Sequence, residues 1–295
     1  MDLEQQVVRF DNLIPSTSAF IDTHTPGSHL KQNYCIIGKG VSEDKAQHIH
    51  LDKAFNFHFG AAAQPAGIKN SLHAHNSSEI FIVYQGQFRI YWGNQGQHEI
   101  ILNPCDILAV PPNLFRGFEV VSECDGFAFV ILGGKDAGGP LTWHPDVITE
   151  SQGHGLYLKK NGKLANTLRG DSKPSEDELV NPLNSVDMAQ FYEPTPDQLK
   201  DNLVCLSEYV SRPLSQQPSP HISVFSQALT HEDTWKFLNN IHICSYQINT
   251  ENALTIPSES NDGILLLMQG YIECTTSEHG DITLYSGDTF CIPKD

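Results

Sequence analysis

"SLHAHNSSEIFIVYQG", residues 71–86, places two histidines one residue apart, a glutamate four residues later, and a glycine at the end of an apolar run. Side chains alternate faces along a strand, so His73 and His75 share one face. "NSS" supplies a turn, after which Glu79 begins the returning strand and faces the same interior. Gly67 and Gly86 bracket the stretch. Two imidazoles and a carboxylate converging from adjacent strands offer three donors to a first-row divalent metal. A face of this kind with open positions suits non-haem Fe(II) oxygen chemistry. The same three residues also fit an ordinary polar barrel lining, and the spacing leaves both readings open.

Outward from this stretch, residues 30–132 read as strands and turns. "FNFHFGAA" (55–62), "EIFIVYQG" (79–86), "QFRIYWG" (87–93), "HEIILNP" (98–104), "DILAVPP" (106–112) and "FAFVIL" (127–132) are rich in β-branched and aromatic residues. Turn residues recur at intervals of roughly 8–12, which predicts an antiparallel sandwich or barrel rather than βαβ units. The character changes at "GGKDAGGP" (133–140), and the chain to 221 is polar and rich in Ser and Pro. "SEDE" (175–178) and "TPDQ" (195–198) both fit capping boxes and predict two short helices.

Strands resume at about 222, with an internal echo. "YQGQFRIYWGNQGQHEIILNPCDILAVPPN" (84–113) lines up with "MQGYIECTTSEHGDITLYSGDTFCIPKD" (268–295), which predicts two copies of one β domain. The organisation expected is therefore an N-terminal segment (1–29), a first β domain (30–132), a helical connection (133–221), and a second, incomplete β domain (222–295). Pro293 matches Pro111, so the second copy stops about two strands early. Either the chain is cut short, or the N-terminal segment or a second subunit fills the gap this leaves, since an open edge invites aggregation.

The stretch from Gly67 to Gly86 resembles the first motif of the cupin superfamily, and "LNPCDILAVPPNLFRGFE" (102–119) resembles the second. The resemblance implies an all-β double-stranded β-helix, a jelly-roll barrel present in two copies, with His73, His75 and Glu79 as metal ligands. It is looser toward homogentisate dioxygenase-like bicupins, which implies a dioxygenase-type oxidoreductase using Fe(II), with Mn, Ni or Zn as other candidates. Counting from the Pro-Pro step, the family's fourth ligand, a histidine, falls on Arg116. A guanidinium stays protonated and offers no lone pair. Arg116 is therefore expected either to steer a substrate carboxylate beside the metal or to pair with Glu79 in place of the metal. The corresponding positions in the second copy are Pro257, Glu259 and Gly263, where no metal is expected.

Other residues have plainer readings. His48 and His50 form a second His-x-His without a matching carboxylate and read as surface or inter-subunit residues. His58 can face the barrel from the preceding strand and is the nearest substitute for the missing ligand. Phe81, Tyr84 and Trp92 read as core, with a pocket for an aromatic substrate as the other option. Cys105 has no basic neighbour to activate it.

Composition bounds the function classes. The 295 residues carry 18 Lys+Arg against 35 Asp+Glu, a net charge of −17, which argues against nucleic acid or an anionic membrane as the main partner. The seven cysteines include no Cys-x-x-Cys pair. "MDLEQQVVRFDNLIP" lacks the basic and apolar regions of a secretory signal, and no apolar run approaches the ~20 residues of a membrane helix. A cytoplasmic homodimer acting on a small, anionic molecule is the expectation. A non-catalytic two-barrel protein that binds a small molecule through a decayed metal site is the alternative.

Overall fold

A computed structural model of the chain describes residues 2–44, 46–133, 139–206, 221–223, 241, 243–246, 263–276 and 279–292. The strands of the first half are β1 (Val7–Val8), β2 (Gln32–Ile37), β3 (Ile49–Leu51), β4 (Phe57–Gln64), β5 (Lys69–Ala74) and β6 (Glu79–Gln85). They continue with β7 (Phe88–Trp92), β8 (His98–Leu102), β9 (Ile107–Val110), β10 (Arg116–Val120), β11 (Gly126–Gly133) and β12 (Thr142–Trp143). Each of the six strand-like stretches read from the sequence lies on one of these.

Eight strands make a barrel whose pairing is nested. β7 pairs with β8, β6 with β9, β5 with β10 and β4 with β11, all antiparallel. One long hairpin wound on itself produces this pattern, and the strands divide between two sheets. The first has the order β12-β5-β10-β7-β8. The second has the order β9-β6-β11-β4-β2-β3 and gains a further edge strand described below. Two sheets connected in this way, antiparallel apart from the parallel β2–β3 pair at one edge, are a jelly roll, the double-stranded β-helix.

Burial along the strands follows from what covers each face. In β7, Phe88, Ile90 and Trp92 are buried while Arg89 and Tyr91 are not, the alternation of a strand wet on one side. β11 is buried at all eight positions, "GFAFVILG". Its inward side chains Ala128, Val130 and Leu132 pack with Phe81, Val83, Trp92 and Phe118 between the sheets. Its outward ones, Phe127, Phe129 and Ile131, pack under Val8, Phe10, Ile264 and Cys291. Both faces are therefore dry, and the strand reads as a continuous apolar run.

The described part of the connection between the halves, residues 139–206, is folded. It contains α1 (Pro145–Gly153), β13 (Leu156–Leu158), β14 (Leu164–Asn166), α2 (Ser185–Met188), α3 (Pro196–Lys200) and β15 (Leu203–Val204). Both expected capping boxes form, at Ser175/Glu178 and Thr195/Gln198, although the first opens a single 3-10 turn rather than an α-helix. α1, β13 and Trp143 bury Ile21 of the N-terminal segment in one small core.

The second half contains β16 (His221–Ser223), β17 (Cys244–Tyr246), β18 (Gly263–Leu266), β19 (Tyr271–Thr276), β20 (Gly280–Tyr285) and β21 (Thr289–Ile292). β19 pairs with β20 inside the β18–β21 pair. This repeats the β7–β8 hairpin inside β6–β9, so the sequence echo corresponds to four strands of shared pairing. The described residues do not form a complete second roll. β1 pairs with β21, Val7 opposite Phe290, as β15 pairs with β9. The N-terminal segment thus covers the β21 edge, on the side away from β18.

Candidate metal centre

His73 sits near the end of β5, His75 in the turn after it, and Glu79 opens β6. All three are buried, and one donor atom from each lies within 4.8 Å of the others. Among the described residues no other group of three metal-ligating side chains converges in this way. The strand period and the "NSS" turn account for the convergence, as the sequence predicts.

The imidazoles are set in ligand form. His73 Nδ1 lies 2.7 Å from the Ser71 carbonyl and donates to it, which leaves Nε2 with its lone pair free. Burial, and then the Arg116 charge, hold the His73 pKa well below its ordinary value, so the ring is neutral. His75 Nε2 is 3.8 Å from Glu79 Oε1, and its buried Nδ1 has no protein partner. The rings of His73 and His75 meet edge to face at 5.1 Å, and Trp143 packs against His73 at 5.4 Å.

Arg116 opens β10 and is fully buried behind Glu79. Its Nε donates to Glu79 Oε2 at 2.8 Å, and Nη2 lies 2.7 Å from the same oxygen. Nη1 reaches the His73 and Leu114 carbonyls at 3.3 and 3.4 Å. Burial pushes the Glu79 carboxyl up toward about 8. The guanidinium, which keeps its proton in protein interiors, offsets that push and holds the carboxylate charged. Because both Arg116 contacts fall on Oε2, Oε1 stays free on the histidine side. The donor set of two imidazoles and one carboxylate with a free oxygen therefore fits a divalent ion.

The three donors line a cavity of about 60 Å³. Its walls include Asn33, His58, Gly60, Phe118, Val130 and Leu132 from the barrel, together with Phe20, Leu141 and Trp143. His58 faces this cavity but stands outside the donor group. Arg116 is not among the lining residues.

The other singled-out residues are structural. Phe81 and Trp92 are inter-sheet core, and Tyr84 packs on the outer face against Phe10 and Phe127. His50 Nδ1 donates to the Cys35 carbonyl and Nε2 accepts from the Ile14 amide, which fastens the N-terminal segment to β2. Cys105 occupies a left-handed turn position, and burial raises its thiol pKa. Pro257 and Glu259 lie outside the described residues.

Sequence reasoning missed the wall that Trp143 and Phe20 add to the cavity. Trp143 Nε1 donates to Glu43 at 2.7 Å, and Glu43 also accepts from the Ile21 amide at 2.8 Å. Beneath it, Lys31 forms a buried ion pair with Asp22 and bonds Asn70 at 3.1 Å, while Asp22 accepts from the Ser71 amide. That pair fixes β5 just before His73. No local pattern announces it: Lys31 and Asp22 are nine residues apart, but their partners Asn70 and Ser71 lie 39 and 49 residues further along the chain.

No protein-family model matches the sequence, and no curated protein is similar to it. Likenesses among solved structures are partial. One is a crystal structure of the DMSP lyases RdDddP and RnDddQII, at 14% identity over 38% of this chain and 52% of that one, with a TM-score of 0.32. Another is the DMSP lyase DddQ from Ruegeria pomeroyi, at 17% identity over 46% and 58% of the two chains, with a TM-score of 0.31. A third is a cupin-like protein from Thermotoga maritima, at 17% identity over 38% and 74%, with a TM-score of 0.29. The chain spans about half the length of the lyases it is similar to. None of the candidate helices among the described residues is long and apolar enough to cross a membrane. On its own strand order and nested pairing, the first half of this chain is a double-stranded β-helix, the fold that the cupin resemblance implies.

Proposed function

We propose that the first barrel is the metal-dependent catalytic domain of a cupin-type enzyme acting on a small molecule, with Fe(II) and O2 as the chemistry its ligand set suits best. One observation supports this reading above the rest: three buried donors within 4.8 Å of one another on the wall of one cavity. When bound, an ion of this type supplies electrons to O2 or polarises a coordinated substrate oxygen. The protein's own residues do the remaining work. Ser71 fixes the His73 tautomer, as hydrogen-bond partners of metal-ligating histidines commonly do. Arg116 acts as a positioning residue that holds Glu79 charged with Oε1 presented, instead of gripping substrate. Phe20, Leu141, Trp143, Val130 and Leu132 supply the apolar part of the cavity lining. A cavity of about 150 Å³ admits benzene, so the 60 Å³ available here suits a substrate smaller than an aromatic ring.

A second reading draws on the Arg116–Glu79 pair. The guanidinium already neutralises the only carboxylate of the trio, so the barrel needs no ion to stay folded and serves as a non-catalytic binding domain. Elemental analysis of protein purified without chelator and reconstituted with Fe(II), Zn, Mn or Ni separates the two. The enzyme reading expects about one equivalent of metal in the parent and none in a His73→Ala, Glu79→Ala variant. No metal in either, even after reconstitution, sinks it in favour of the binder.

A further inference from the structure

A second cavity, of about 520 Å³, shares no residue with the one at the metal centre. It is an open groove lined by Thr17, Thr23, His24, Pro26, His29 and Arg169. One wall is the N-terminal segment and the other is the turn after β14. Backbone bonds hold the first wall at both ends. Ser16 exchanges two with Asn33 of β2, at 2.8 and 2.9 Å, and the Gly27 carbonyl accepts from the Lys69 amide at 2.8 Å. Between these ties Ile21 is buried with Leu156 and Leu158 of β13, which brings the two walls together. The second wall is a 3-10 turn, Thr167–Arg169, whose Leu168 and Arg169 amides donate to the Asn166 side chain. Both walls are shaped by the protein's own bonds, so the groove is preformed and a ligand need not order it.

The charge of the lining is opposite to that of the chain. The sequence carries 35 Asp+Glu against 18 Lys+Arg, yet the groove is lined by a guanidinium and two imidazoles with no carboxylate. Asp171, the carboxylate nearest Arg169 in sequence, is occupied in accepting from the Asn166 amide at 2.8 Å. Arg169 is exposed and makes no ion pair among the described residues. Lys69 lies against the same N-terminal segment, its Cε 3.6 Å from where a Cβ at Gly27 would stand. Glu119, opposite Lys69 across the strands, is bonded by Arg89.

The donors select the ligand. A guanidinium presents a fork of N–H groups, an imidazole at least one, and a threonine hydroxyl one more. The Thr23 hydroxyl is spent on the Phe20 carbonyl at 2.6 Å, which leaves Thr17 to offer one. A carboxylate meets an arginine fork with both of its oxygens and has little left for the histidines. A phosphate has three terminal oxygens and a second negative charge, so it can take the fork and the imidazoles together. The volume is far beyond that of a bare anion and falls within the range of about 300–1,000 Å³ typical of small-molecule sites. Pro26 is the one apolar side chain in the lining, so the body attached to the anion is polar.

We infer that this groove binds a phosphomonoester of a small polar molecule, with its phosphate on Arg169, His24 and His29. The inference is independent of the metal-centre reading, since the two cavities have no residue in common.

The test is calorimetric titration of the full-length protein with glycerol 3-phosphate at fixed ionic strength, with glycerol and acetate as controls. The parent is expected to bind the phosphate ester and not glycerol. Arg169→Gln is expected to weaken binding by about tenfold or more, the worth of a hydrogen bond to a charged group, and His29→Gln severalfold. Both side chains are exposed, so the urea midpoints of these variants should match the parent's. Lys163→Gln removes a cation outside the lining and is expected to leave the affinity unchanged. Acetate binding as tightly as the ester overturns the inference, as does a Lys163→Gln loss equal to that of Arg169→Gln. So does a parent that does not bind glycerol 3-phosphate at millimolar concentrations, or an Arg169→Gln variant that binds it undiminished.

Discussion

Replacing Arg116 with methionine removes a buried cation while keeping a side chain of similar length. Two nitrogens of Arg116 approach Glu79 Oε2 at 2.7 and 2.8 Å, and both side chains are almost wholly buried. At an effective dielectric of about 20, charges at that spacing attract by about 6 kcal/mol before desolvation is counted. The long contacts from Nη1 to the His73 and Leu114 carbonyls add little. Removing one partner of such a pair leaves an uncompensated buried carboxylate and costs about 3–5 kcal/mol. With a urea m-value of about 2 kcal/mol/M, the midpoint of the metal-free protein should fall by about 1.5–2.5 M. The double variant Glu79→Gln, Arg116→Met has no charge to strand and should recover most of that loss, a coupling of several kcal/mol in the double-mutant cycle. Zinc should raise the midpoint of Arg116→Met more than that of the parent, because the ion then takes over a carboxylate with no other partner. A loss below about 1 kcal/mol for Arg116→Met, or a double variant no better than the single, would refute the view that this pair holds the site in shape.

Two further outcomes follow from groups outside the donor trio. Burial lowers the His58 pKa to about 4 from an ordinary 6.5, so its neutral form is favoured by folding. That stability is present above pH 6.5 and is lost as the pH falls to 4, by about 3 kcal/mol at 1.36 kcal/mol per unit. Burial raises Glu43 to about 7, which works in the opposite direction over pH 4.5–7, but it is common to parent and variant. The stability difference between parent and His58→Gln should therefore shift by about 3 kcal/mol in the variant's favour between pH 7 and pH 4. A difference that does not change with pH counts against the buried neutral imidazole. Gly117→Ala should destabilise by about 1–3 kcal/mol, since its Cβ would stand 2.3 Å from Tyr91 Cζ and 2.6 Å from the Asn70 carbonyl. Thermal unfolding of that variant at the parent's midpoint contradicts the close approach of β10 to β5.

The parts of this protein legible in its sequence are those written in local periodicity. Alternation in "FRIYW", the turn at "NSS", and the boxes at Ser175 and Thr195 involve residues within a few positions of each other, where strand and helix geometry leave little choice. They fixed the barrel strands and placed His73, His75 and Glu79 on one inner face. The pairing of Arg116 with Glu79 is not legible locally, because the two are 37 residues apart and stand in different sheets, Arg116 opposite His73 in one and Glu79 at the start of β6 in the other. The covering of the β21 edge by Val7 and Val8, the cavity wall of Phe20 and Trp143, and the cavity size depend on longer-range packing still. Trp143 meets Glu43 across 100 residues of sequence. Side-chain period is a property of each strand, whereas which strands become neighbours, and how much space they leave, is settled by burial across the whole chain.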